Sequence, residues 1–183
     1  MSASKKISGF AGSLRTQSYS KVLLNEMAEK LPEGYAFTAL DIGALPHYNQ
    51  DLESGDLPVS VVAFRETITH SDAVFITLPE YNHGMPGVLK NALDWLSRPA
   101  FASCMMHKPV LFASESEGAL GGVRSLYQMR ETLSSMLCYL PPMPEIVITH
   151  VNTKIIDGRL QDSGTQQFLQ KSVDRFLQVT LQK

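Results

Sequence analysis

Apolar residues follow two alternating patterns along this chain, short continuous runs and helical stripes. The runs predict strands at residues 5–10, 36–42, 73–78, 110–114 and 146–149. The stripes predict a helix through Leu23, Met27 and Leu31, another from about residue 58, and further helices at about 86–96, 122–137 and 165–181. Asp157 and Gly158 predict the turn of a small hairpin within residues 154–160. The chain therefore alternates strand and helix throughout.

The run at residues 73–78, AVFITL, is apolar throughout instead of alternating with polar residues. Strands of this kind are buried on both faces, as in a parallel sheet covered by helices. Five strands, each followed by a helix, predict an α/β fold with a three-layer α/β/α sandwich. Five strands also favour the flavodoxin-like sheet order 2-1-3-4-5 over the six-stranded dinucleotide-binding order. The 183 residues suit one domain spanning residues 1–183.

Composition and charge narrow the possible functions. The chain has 16 Lys and Arg against 18 Asp and Glu, a net charge of −2, so we expect no nucleic-acid partner. No apolar run approaches the ~20 residues of a membrane span and no signal-peptide pattern opens the sequence, so we expect a cytoplasmic protein without a membrane partner. Cys104 and Cys138 lack a CxxC spacing and a nearby histidine pair, and predict neither a disulfide framework nor a metal site.

The loop after the first strand is rich in groups that bind phosphate. It offers the hydroxyls of Ser13, Ser18 and Ser20, the charge of Arg15 and the backbone amides of a helix start. The alternative is that Ser18 or Ser20 only caps the helix while Arg15 faces solvent. The loop has neither the GxGxxG nor the GxxxxGK[ST] pattern, because Gln17 occupies the position of the second glycine of the latter.

Two further loops follow the third and fourth strands. The loop at residues 79–87 combines prolines and glycines, and it could present backbone groups to the edge of a flat heterocycle. His83 has no acidic partner in the sequence, so no catalytic residue is assigned. In the other loop, Ser116 could reach a ring carbonyl, whereas Glu115 and Glu117 are expected to be solvated carboxylates.

Three segments together resemble the NADPH-dependent FMN reductase family. They are GSLRTQSYS after the first strand, PEYNHGMPGVLKNALDW after the third and GALGGVRSLYQMR at the start of the fourth helix. The family has a flavodoxin-like fold and includes chromate, quinone and azo-dye reductases. The resemblance covers nearly the whole chain and implies bound FMN with NADPH as co-substrate.

The resemblance also implies the residues of the site. The FMN phosphate would be held by the first loop, with Arg15, Ser18 and Ser20 as the main side-chain partners; the full segment is Ser13, Leu14, Arg15, Thr16, Gln17, Ser18, Tyr19 and Ser20. The isoalloxazine ring would be bordered by Pro79, Glu80, Tyr81 and Asn82 and contacted by Ser116.

The implied reaction is a ping-pong transfer of two electrons from NADPH through FMN to a small-molecule acceptor such as a quinone, an azo compound, a metal oxyanion or free flavin. Because FMN carries the chemistry, no protein acid, base or nucleophile is required. The family also implies a homodimer or homotetramer, and we expect Trp95 and residues 101–106 near the subunit contact. Two alternatives remain open: a flavodoxin-like electron carrier and a flavin-based redox sensor.

Overall fold

The computed structural model describes residues 4–181. Its strands are β1 (Lys5–Ala11), β2 (Tyr35–Ala39), β3 (Ala73–Pro79), β4 (Val110–Glu115), β5 (Ile146–Ile148), β6 (Ile155–Ile156) and β7 (Arg159–Leu160). Its helices are α1 (Tyr19–Glu29), α2 (Val59–Thr69), α3 (Gly87–Leu96), α4 (Val123–Ser135), the short α5 (Val151–Lys154) and α6 (Ser163–Thr180). Two 3-10 turns, Ile42–Ala44 and Gln50–Glu53, lie between β2 and α2.

The main sheet has five parallel strands in the order β2-β1-β3-β4-β5, which confirms the predicted topology. All seven residues of β3 are buried, as the unbroken apolar run predicts. Alternate side chains of this strand enter opposite cores: Val74, Ile76 and Leu78 on one face, Ala73 and Phe75 on the other. The sheet is therefore the middle layer of an α/β/α sandwich.

Each face of the sheet has its own helical layer. The core on one face includes buried residues of α2, α3 and α4, and the core on the other includes buried residues of α1 and α6. Among residues 4–181, no helix is both long and apolar enough to cross a membrane. The two helical layers leave the carboxyl ends of the strands as the edge where loops can form a site.

Most element boundaries differ from the prediction by one or two residues, and two differences have a local structural cause. The second strand ends at Ala39 instead of residue 42, because the Asp41 carboxylate accepts a hydrogen bond from the Gly43 amide at 2.8 Å and starts a 3-10 turn. The predicted hairpin is present as β6 and β7, but Lys154 belongs to the short helix α5, which the sequence pattern does not indicate.

Candidate functional site

The three loops predicted to carry chemistry meet in one cavity of about 170 Å³. It lies at the carboxyl ends of β1, β3 and β4, beside the point where the strand order reverses. Eight of the predicted site residues line it: Ser13, Arg15, Ser18, Tyr19, Pro79, Glu80, Tyr81 and Ser116. Glu115 and Glu117 complete the lining.

Ser18 occupies the N-cap position of α1 without acting as a side-chain cap. Its hydroxyl is almost fully buried and makes no capping hydrogen bond within the described part of the chain. No acidic residue of α1 itself lies in its first turn. A buried hydroxyl and free amides at a helix start fit an anionic phosphate. The capping alternative is therefore not observed for Ser18.

Arg15 reaches the cavity from the exposed part of the first loop. Its guanidinium carbon lies 5.8 Å from the centre of the Tyr19 ring, and among residues 4–181 it forms no ion pair. Its backbone amide donates to Ser13 Oγ at 3.4 Å. The first loop thus brings one unpaired positive charge to the cavity.

Four predicted site residues lie outside this cavity on the molecular surface, and a fifth is buried. Thr16 and Gln17 are exposed and line a neighbouring groove of about 650 Å³. Leu14 is half exposed and faces Gly43, and Asn82 is exposed in the second loop. Ser20 is fully buried. A role for these five in flavin binding stays a prediction.

Ser20 and Glu115 form a buried pair that the sequence does not reveal. Ser20 Oγ donates to Glu115 Oε1 at 2.8 Å, and only 4% of Glu115 is exposed. The expectation that Glu115 is a solvated carboxylate is therefore wrong: it is the last residue of β4 and inherits the burial of that strand. Burial raises the pKa of Glu115, Ser20 and Arg15 oppose that shift, and Glu117 adds to it.

The second loop is a tight two-residue hairpin. The backbones of Tyr81 and Gly84 exchange two hydrogen bonds of 3.0 Å, and Asn82 and His83 between them both have positive φ. The Tyr81 hydroxyl hydrogen-bonds Ser13 Oγ at 3.2 Å, and the Met85 amide donates to Gln128 Oε1 at 2.6 Å. The turn is thus held on one side by the first loop and on the other by α4.

Glu80 and Arg124 form an ion pair that the sequence analysis did not identify. Arg124 donates from Nε to Glu80 Oε1 at 2.7 Å and from its backbone amide to Glu80 Oε2 at 3.1 Å. Burial acts to raise the pKa of Glu80, but the hydrogen bonds and charge of Arg124 outweigh it and leave that pKa lowered. The pair joins the second loop to the start of α4, and its members are too far apart in sequence for any local pattern to predict it.

The third loop depends on two glycines in the left-handed region. Gly121 has φ of +56° and Gly122 has φ of +78°, and a Cβ atom on Gly122 would lie 2.9 Å from the Glu115 carbonyl oxygen. No side chain fits there without displacing the end of β4. Ser116 Oγ accepts a hydrogen bond from the Gly118 amide at 2.9 Å, which orders the loop beside the cavity.

Trp95 lies inside the subunit and not at its surface, and the expectation that it lies near a subunit contact stays a prediction. Its side chain is fully buried, and its indole N–H donates to the Pro46 carbonyl at 2.8 Å. The signal was present in the sequence, because Trp95 follows the core residue Ala92 by three positions on α3. In the loop at residues 101–106, Phe101 is 82% exposed whereas Met105 is buried.

Comparisons with known proteins agree with this fold. The sequence profile of the family described as NADPH-dependent FMN reductase matches residues 5–153. A 2-hydroxy-1,4-benzoquinone reductase of a Burkholderia species is 38% identical over 172 residues, which are 93% of each chain. A quinone reductase of Pseudomonas putida is 38% identical over 177 residues, covering 96% of this chain and 95% of that one.

A solved structure is similar over almost its whole length. The flavoenzyme NAD(P)H:(acceptor) oxidoreductase FerB of Paracoccus denitrificans superposes with a TM-score of 0.85 at 35% identity, covering 95% of this chain and 96% of that one. The fold and the cavity define a flavodoxin-like protein with a site suited to a phosphorylated ligand. More particularly, this chain belongs to the NADPH-dependent FMN reductase family and is an oxidoreductase with FMN as cofactor and NADPH as co-substrate.

Proposed function

We propose that this protein binds FMN in the three-loop cavity and passes two electrons from NADPH to a quinone. The observation that carries the proposal is the convergence of the three loops on a single cavity beside the uncapped start of α1. When bound, FMN supplies the redox chemistry, accepting a hydride from NADPH and giving electrons to the acceptor. Neither histidine nor cysteine is among the residues that line the cavity, so the chain's own residues bind and orient.

The first loop and α1 bind the phosphate in this proposal. Ser18 offers a buried hydroxyl, the first turn of α1 offers its amides, and Arg15 offers a charge with no competing ion pair among the described residues. Together they place hydrogen-bond donors and positive charge at one end of the cavity. Pro79, Tyr81 and Ser116, from the second and third loops, border the flavin ring at the other end.

Side-chain contacts join the loops to one another and to α4. Ser13 joins the first loop to Tyr81 of the second, and Glu80 joins the second loop to Arg124 on α4. A preorganised site binds more tightly because less conformational entropy is lost on binding. The donor and the acceptor would use the same cavity in turn, which supports ping-pong kinetics.

A quinone is favoured as acceptor because relatives 32–38% identical over most of the chain are quinone reductases. The azoreductases among the similar structures are only 14–15% identical, so they support the fold alone. The test is NADPH oxidation with a benzoquinone, an azo dye, chromate or free FMN as acceptor. We expect the highest kcat/KM with the quinone and parallel double-reciprocal lines. Intersecting lines would contradict the ping-pong order, and a preferred azo dye or chromate would contradict the acceptor.

We also propose that the chain acts as a single domain that forms a homodimer or homotetramer with the flavin site near a subunit boundary. Tyr81, Leu120 and Tyr127 are each about half exposed in the second loop, the third loop and α4, and Phe101 is almost fully exposed. Large apolar side chains that are exposed on the subunit surface favour an interface with another subunit. Light scattering should give twice or four times the mass of 20.2 kDa. A monodisperse monomer would contradict the proposal.

A further inference from the structure

The cavity proposed to bind a phosphate also contains carboxylates, and one of them is buried without a positively charged partner bonded to it. Glu80, Glu115 and Glu117 line it with a single cation, Arg15. The charge of Glu80 is compensated by Arg124, and Glu117 is exposed to solvent. Glu115 is neither paired with a cation nor exposed to solvent. It is almost fully buried, and its one side-chain hydrogen bond comes from the neutral hydroxyl of Ser20.

Glu115 lines the cavity, and the Ser20 hydroxyl bonds to one of its two carboxylate oxygens. Oε1 accepts a hydrogen bond from Ser20. Oε2 has no geometric hydrogen-bond partner within residues 4–181 and keeps some solvent-accessible surface. The flanking strands present Pro79 and Ile148 beside Glu115, and neither side chain titrates. From α1, the Ser20 hydroxyl bonds to Oε1 and the Ser20 backbone amide also favours the carboxylate, while the charged groups that act on Glu115 are Arg15 and Glu117. Oε2 is therefore free to contact a ligand that enters.

We propose that Glu115 is a proton-dependent ligand of the FMN phosphate, an inference that rests on the function proposed above. In the acid form, Oε2 carries a proton taken from solvent and donates a hydrogen bond to a phosphate oxygen, while Oε1 keeps the bond from Ser20. In the carboxylate form, Oε2 has nothing to donate and repels the phosphate. FMN affinity consequently falls as pH rises, and the protein retains its cofactor better under mildly acidic conditions.

The direction in which FMN affinity changes with pH follows from the two charge states of Glu115. Burial already raises the pKa of Glu115 in the free protein, and a phosphate dianion beside it would raise the pKa further. Between the free and the bound pKa, FMN binding takes up one proton, so the dissociation constant rises by up to about tenfold per pH unit. The second ionisation of FMN itself, with a pKa of about 6, acts in the opposite direction and is common to every variant.

The test compares FMN binding by wild type, E115Q and E117Q from about pH 5 to about pH 9, which spans ordinary and raised carboxyl pKa values. Binding is followed by quenching of flavin fluorescence. E115Q keeps the shape and supplies an amide donor at every pH, so we expect its FMN affinity to lack the wild-type fall. At the alkaline end it should exceed the wild-type affinity by up to about tenfold for each pH unit between the free and the bound pKa of Glu115. E117Q removes the same charge from an exposed site in the same cavity. Because Glu117 adds to the raised pKa of Glu115, the fall in FMN affinity should begin at lower pH in E117Q but keep the wild-type slope.

Each other outcome has a definite meaning. If the FMN affinity of E115Q depends on pH as steeply as that of wild type, the inference is wrong while the proposed function stands. The same holds if E117Q changes this pH dependence as much as E115Q does. If none of the proteins binds flavin at any pH, the proposed function fails as well. Should E115Q not fold, S20A provides a second test: losing the donor to Oε1 disfavours the carboxylate, and the fall in FMN affinity should move to higher pH. If FMN affinity falls at the same pH in S20A as in wild type, the inference is also wrong.

Discussion

Replacing Arg15 by alanine tests the phosphate end of the site most selectively. Arg15 is exposed, lines the cavity, and forms no ion pair within the described chain, so its removal breaks no salt bridge. Its one aromatic neighbour is Tyr19, at 5.8 Å from the guanidinium carbon to the ring centre. The fold should therefore remain intact, and the change should appear in ligand binding alone.

The magnitude follows from the kind of contact that is lost. A hydrogen bond to a charged group contributes about 1.5 to 3 kcal/mol net. At about 1.4 kcal/mol per factor of ten, the dissociation constant for FMN should rise roughly 10- to 150-fold. Because the guanidinium is exposed and screened by solvent, we expect a value near the lower end of that range. Added salt should reduce the difference between wild type and variant for the same reason.

Isothermal calorimetry or flavin fluorescence gives the affinity, and riboflavin provides the ligand control. Riboflavin has no phosphate, so R15A and wild type should bind it equally. R175A, an exposed arginine on α6, is the matched protein control and should bind FMN as wild type does. Equal FMN affinity for R15A and wild type, or an equal loss for riboflavin and FMN, would refute the assignment of Arg15 to the phosphate.

Three other predictions concern stability and reactivity. R124A removes the partner of Glu80 and should lower the free energy of unfolding in urea by about 1–2 kcal/mol at neutral pH. Since the paired Glu80 has a lowered pKa, that loss should shrink as pH falls below the ordinary carboxyl range, and a pH-independent loss would contradict the ion pair. G122A should destabilise by about 2 kcal/mol or more, because φ is +78° and the new Cβ would meet the Glu115 carbonyl, whereas G118A in the same loop should cost much less. Burial, with a smaller effect of Cys104, raises the pKa of Cys138 to about 12. The Cys138 thiol should therefore react with Ellman's reagent far more slowly in the native protein than in urea. Equal rates in the two conditions would contradict the burial of this thiol.

The fold could be predicted because its signals are local. The unbroken apolar run of β3 fixes a strand buried on both faces, and Leu23 and Met27 mark the buried stripe of α1. Loops at the carboxyl ends of neighbouring parallel strands then had to meet, and Ser18 and Tyr81 do line one cavity. Hydrophobic periodicity and strand order were together sufficient to predict the fold and the meeting of these loops.

The contacts inside the site could not be predicted because their members are distant in sequence. Ser20 and Glu115 are 95 residues apart, and Glu80 and Arg124 are 44 apart. From sequence alone, a glutamate at the end of an apolar strand fits two interpretations equally well: the last buried residue of the strand or the first solvated residue of the loop. Only the register of β4 between its neighbours shows that Glu115 remains buried.

The most direct test of the central claim is an anaerobic absorbance titration of the FMN-loaded protein with NADPH, followed by a quinone. The account predicts that about one equivalent of NADPH bleaches the flavin absorbance and that the quinone restores it, because each transfers two electrons. Flavin that binds tightly but is not bleached by NADPH would contradict the account and indicate a carrier or a sensor. A protein that binds no flavin would contradict the assignment of the three-loop cavity itself.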